Sequence, residues 1–177
     1  MQVASRLNSA VLDSALAKSG LSLACAVLVA LSALVKFPIP GSPVPATLQT
    51  FALLFCAGML GRWYALQMVG WYLALGSIGA PFFAGVSLFG ATGGYLVGFV
   101  VASAIVGFAS SRCDGFVKRC AVYALALPAI YVPGLLWLKL ATSSSWQLTL
   151  VMGMWPFIAA DLMKAGAASL AVHIGRR

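Results

Sequence analysis

A chain of 177 residues that is 62% hydrophobic and only 8% charged lies outside the range of soluble domains, which are about 25% charged and 45–50% apolar. Its mean hydropathy of +1.01 and long continuous apolar runs point to an all-α integral membrane protein and away from a barrel, whose strands are short and alternate. The formal charge of +8 comes from Lys and Arg at the ends of apolar runs. That pattern specifies topology and argues against nucleic-acid binding.

Residues 1–18 read as a cytoplasmic N-terminal tail, and Asp13 and Lys18 argue against a cleaved secretory signal there. Residues 19–177 read as one six-helix transmembrane domain. The predicted spans are 19–36, 47–60, 63–80, 92–109, 120–138 and 156–174. A hydrocarbon core needs about 20 helical residues, or about 17 at the short end. The second span is shorter, so it is expected to cross incompletely or to start inside the protein. Residues 146–154 make about half a crossing. They read as an interfacial or re-entrant piece leading into the last helix, with Pro156 near its first turn.

Six crossings with a cytoplasmic N-terminus place Arg6, Lys18, Arg62, Arg112, Lys118, Arg119, Arg176 and Arg177 inside. Only Lys36 and Lys139 then fall outside, and Lys164 lies within the membrane. This bias predicts a multi-pass plasma-membrane protein with both termini cytoplasmic. The outer segments become 37–46, 81–91 and 139–155, rich in Pro, Gly, Ser or aromatics and free of acidic residues. They suit a receptor lidded from outside, or are simply the less constrained loops.

The segment from Phe37 to Pro45 alternates Pro with apolar or small residues and predicts a stiff extended loop. It leads into Thr47, Gln49 and Thr50, three hydrogen-bonding side chains at the outer end of the second helix. They serve a ligand or lid, or cap the helix. Thr92 is placed to cap the fourth helix, and Gly93 and Gly94 leave its first turn bare, for close approach or for helix packing. Phe82, Phe83, Phe89, Tyr95, Trp146 and Trp155 supply aromatic walls or an interfacial belt. In the first helix Ala26 and Ala30 lie four apart on a small-residue face with Ala24. Such a face serves internal packing or the docking of a second membrane subunit.

The most telling feature is Asp161 with Lys164, inside the last apolar run. Each such residue costs about 2.5–3.5 kcal/mol at a helix centre, and a spacing of three puts them on nearly one face. Intramembrane ionisable groups mark functional sites by default, the alternative being a pair that only locks the bundle. Enzymatic chemistry is not expected. The chain has no phosphate-cradling G-x-x-x-x-G-K-[ST], no Ser/His/Asp set and one carboxylate within the spans. Neither a metal site nor a cofactor is expected, because the four cysteines match no zinc spacing and His173 reads as interfacial. What remains is binding.

Taken in order, Ile39-Pro40, Pro43-Val-Pro-Ala-Thr-Leu-Gln-Thr-Phe51, Pro81-Phe-Phe-Ala-Gly85, Thr92-Gly-Gly-Tyr-Leu96 and Pro156…Asp161-Leu-Met-Lys164 resemble the BioY family. These are the biotin-specific S subunits of energy-coupling factor (ECF) transporters. Two places depart from the pattern: Ala91, where the family usually has Pro, and a shorter 83–89 loop. The resemblance implies an S-component fold that captures biotin from outside. It implies as partners a membrane coupling subunit and ATPase subunits, met partly through Ala26 and Ala30, although some members act alone. It also implies substrate contacts from Asp161, Lys164, Gln49, Thr50, Gly93, Gly94, Tyr95, Phe82 and Trp155.

Overall fold

The computed structural model describes residues 15–79, 90–113 and 115–176. The expectations for Phe82, Phe83 and Phe89, and for residues 1–14, fall outside these. Among the described residues the order is α1 (Ala15–Ser32), β1 (Lys36–Phe37), β2 (Ala46–Thr47), α2 (Gln49–Leu60), α3 (Arg62–Ser77) and α4 (Gly93–Ala109). A 3-10 turn (Ser110–Arg112), α5 (Phe116–Thr142), α6 (Trp146–Gly153) and α7 (Ile158–Gly175) complete it. By length and composition α1 and α5 could each cross a membrane, and α6 with α7 would be a third span bent by 45°. The helices α2 and α4 are apolar but shorter.

The short second span has a physical explanation. Of the 12 residues in α2, Gln49, Thr50, Ala52, Leu53, Leu54, Cys56, Ala57 and Gly58 are buried. A helix apolar all round belongs inside the protein, and α2 packs on α1, α3, α4 and α7. In contrast, α1 leaves Leu16, Leu21, Leu23, Leu28 and Leu31 exposed. Ala26 and Ala30 lie on its other face and are 0% exposed, where α1 meets α2 and α3. These small side chains let α1 approach its own neighbours, the internal-packing role of such a face.

The broadest contact is α4 on α5, and glycines make it possible. A Cβ on Gly98 would run into the backbone of Ile130 and Ala129, and one on Gly94 into Pro133 and Trp137. Gly134 of α5 is filled in return by the ring of Tyr95. This is small-residue packing at a four-residue spacing, and it explains the Gly-rich opening of α4. Pro128 and Pro133 lie inside the 27-residue α5, which extends beyond the predicted 120–138. At the other end of the bundle, Arg119 donates to the Ser110 carbonyl at 3.1 Å and to its hydroxyl at 2.8 Å. Arg176 donates to the carbonyls of Gly58 and Ser110. Two guanidinium groups thus satisfy carbonyls left open where α2 and α4 end.

The extended loop after α1 carries a two-residue antiparallel pairing, Lys36 with Thr47 and Phe37 with Ala46. Thr47 is therefore a strand residue, where the sequence suggested a helix start, and its hydroxyl accepts the Gln49 N–H at 3.3 Å. The Ser42 hydroxyl donates to the Met152 carbonyl at 2.6 Å and ties this loop to α6.

Because rigid backbone faces Gly98, Gly98→Leu should cost about 1–3 kcal/mol or more and lower the melting temperature in detergent. Nothing lies within 4 Å of a Cβ at Gly70, so Gly70→Ala should melt at or above the parent temperature. Equal melting of Gly98→Leu and the parent would contradict the glycine-mediated α4–α5 contact.

Candidate functional site

The buried stripe of α7 runs Asp161, Ala165, Ala168, Ser169 and Val172, a helical period with a carboxylate at its head. Met154 to Phe157 form the turn that separates α6 from α7. The break places Asp161 in the first turn of α7, where the helix dipole favours negative charge. Asp161 is only 8% exposed. Lys164 Nζ lies 2.9 Å from Oδ1, and the Tyr131 hydroxyl of α5 donates to Oδ2 at 2.7 Å. Both carboxylate oxygens are engaged, as burial of a charge requires.

This set opens on a cavity of about 170 Å³. The loop from Pro43 to Thr47 covers one side, and Gln49 and Thr50 of α2 and Thr92 beside α4 add polar groups. Apolar wall comes from Tyr95, Leu96 and Phe99 of α4, Ile130 of α5 and Phe157 before α7. Gly153 closes α6 against it, held by the Tyr95 hydroxyl, which donates to its carbonyl at 2.7 Å. A mostly apolar cleft with a few converging polar groups is how small-molecule sites are built.

Of the residues expected at the site, Asp161, Lys164, Gln49, Thr50 and Tyr95 line this one cavity. Gly93 and Gly94 do not. Gly93 faces an apolar groove between α3 and α4 with Leu73 and Val97, and Gly94 is taken up by the contact with α5. Trp155 is 63% exposed and points elsewhere, and Phe157 supplies the wall two residues on. Thr92 stands before α4 without a side-chain capping bond; its place is on the cavity. Lys139 lies over the ring of Trp146, 5.3 Å from the centroid, away from the site. Phe82 lies outside the described residues.

Two tyrosines were missed from the sequence. Tyr131 sits in an apolar run in which a buried hydroxyl needs a partner, and Asp161 is the one carboxylate within the spans; that pairing was the available signal. Tyr72 of α3, 0% exposed, accepts a hydrogen bond from Gln49 Nε2 at 2.7 Å. Nothing in its local sequence marks it.

If burial makes each charge depend on the other, Lys164→Met should destabilise the protein by about 3 kcal/mol. The double variant Asp161→Asn/Lys164→Met should recover most of that loss in a denaturation series. Additive losses would show that the two residues are not coupled.

Comparison with known proteins gives the family. The sequence model described as "BioY family" matches residues 6–177. The chain is 34% identical over 137 residues to the biotin transporter BioY of Thermotoga maritima, covering 75% of this chain and 80% of that one. It is 34% identical over 155 residues to the biotin transporter BioY2 of Lactococcus lactis, covering 82% and 81%. A crystal structure of the S-component for biotin from an ECF-type ABC transporter superposes with a TM-score of 0.77 at 25% identity, over 88% of each chain. The chain belongs to the BioY family.

Proposed function

We propose that this chain is the substrate-capture subunit of a biotin uptake system, taking biotin from the outer face of the plasma membrane. The observation that carries the reading is the buried Asp161–Lys164–Tyr131 set opening on an otherwise apolar cavity. Biotin has a planar ureido ring, an apolar fused thioether ring and a carboxylated tail. Asp161 accepts from a ureido N–H, and Lys164 donates to the ureido oxygen or to the tail carboxylate. Tyr95, Phe99 and Phe157 enclose the apolar part. Gln49 and Thr50 complete the polar wall.

In this reading the chain crosses the membrane six times with both termini inside, which the distribution of Lys and Arg supports. The loop from Pro43 to Thr47 and the α6–α7 break then lie toward the outside, where the cavity receives ligand. Energy comes from a membrane coupling subunit with ATPase subunits, the relation suggested by the ECF S-component of like fold. That partner meets surfaces other than Ala26 and Ala30, which are buried.

The test is calorimetric titration of the purified chain in detergent with biotin, desthiobiotin and thiamine. Saturable binding of biotin in preference to thiamine is expected. Asp161→Asn should weaken it by about 1–3 kcal/mol, roughly 5- to 150-fold. A folded parent that binds no biotin, or an Asp161→Asn variant with parental affinity, would overturn the assignment.

A further inference from the structure

Gln49 opens α2 and is 6% exposed, on the cavity wall. A primary carboxamide has an accepting and a donating end of nearly equal shape. Unless something holds it, either end can be offered to a ligand. Here both ends are held. Nε2 donates to the Tyr72 hydroxyl at 2.7 Å, and the Thr47 hydroxyl lies 3.4 Å from Oε1 as a donor. Tyr72 belongs to α3, is fully buried and is not part of the cavity wall. Its ring packs beside the cavity residue Phe99, with centroids 6.2 Å apart, so its place is set by packing and not by ligand.

We propose that Tyr72 is a positioning residue for ligand capture: it takes one of the two Gln49 amide N–H groups and holds the carboxamide in the orientation whose oxygen, already accepting from Thr47, offers its second lone pair to a ring N–H of the ligand. The proposal rests on the biotin reading above and adds to it. A cyclic urea carries two N–H donors on opposite sides of its carbonyl. Asp161 is one acceptor, on α7, and both its oxygens already hold a protein donor. A second neutral acceptor on a different helix, α2, lets both ring N–H groups be met without burying a second charge, which would be costly. The site then selects for a ring with two N–H groups, and a residue that never touches the ligand sets that preference.

The experiment titrates four proteins: the parent, Tyr72→Phe, Gln49→Leu and the double variant. Each is titrated with biotin and with an analogue methylated at one ureido nitrogen, both N-methyl isomers being used. Each single variant should bind biotin about tenfold more weakly, as for one lost hydrogen bond to a buried partner. The double variant should bind no more weakly than Gln49→Leu, because in this proposal Tyr72 reaches the ligand through Gln49. The parent should reject one N-methyl isomer more strongly than Tyr72→Phe or Gln49→Leu does. A merely structural role for Tyr72 gives losses that multiply in the double variant and leaves the preference between biotin and the analogues unchanged; either result overturns the proposal. If Tyr72→Phe does not fold, Gln49→Leu still decides, since parental discrimination retained without the carboxamide also overturns it. Absence of biotin binding by the parent would remove the underlying reading, and it is seen separately in the first titration.

Discussion

The cost of burying charge in an apolar bundle organises this molecule. Asp161 is the only carboxylate in the predicted spans, and an ion taken out of water is stable only with its lone pairs filled. Lys164 fills one oxygen from the same helix and Tyr131 fills the other from α5. The break between α6 and α7 contributes as well, by placing the carboxylate in a first turn, where the helix dipole favours negative charge. The pair is thus neutral overall, with both carboxylate oxygens bonded, yet it faces a cavity. A ligand can exchange its own donors and acceptors for part of that network without leaving a bare charge behind.

Close helix approach makes the rest of the site possible. Gly94 and Gly98 allow α4 to lie against α5, and Gly134 admits the Tyr95 ring between them. Tyr95 then reaches Gly153 and fixes α6, while Ser42 fixes the loop after α1 to the same helix through Met152. The cavity is therefore bounded by elements that hold one another: the α4–α5 contact sets Tyr95 and Tyr131, Tyr95 sets α6, and α6 sets the covering loop. The Tyr72–Gln49 bond joins α3 to the same cavity wall.

Much of this was legible in the sequence because the signals are strong in a chain so poor in charge. The Asp161–Lys164 spacing gave their common face, and the short second span, expected to cross incompletely or to start inside the protein, is the mostly buried 12-residue α2. The half-crossing at 146–154 is the helix α6, bent from α7 by 45°. What was not legible shares a cause. Gly93, Gly94, Ala26 and Ala30 are small residues, and smallness signals close approach without saying of what. In each case it is approach within the chain or an outer groove. Trp155 and Phe157 are both aromatic beside a turn, and only the geometry of that turn decides which of them faces inward. Tyr72 and Tyr131 matter through partners 23 and 30 residues away, a relation that local pattern does not carry.

The most direct test of the central claim is a crystal structure of the chain grown with biotin. The account requires the ligand in the cavity between α2, α4, α5 and α7, with polar atoms within hydrogen-bond reach of Asp161 and Lys164. Biotin bound elsewhere on the molecule, with the Asp161–Lys164–Tyr131 set intact and untouched, would contradict it and leave that set as a structural lock.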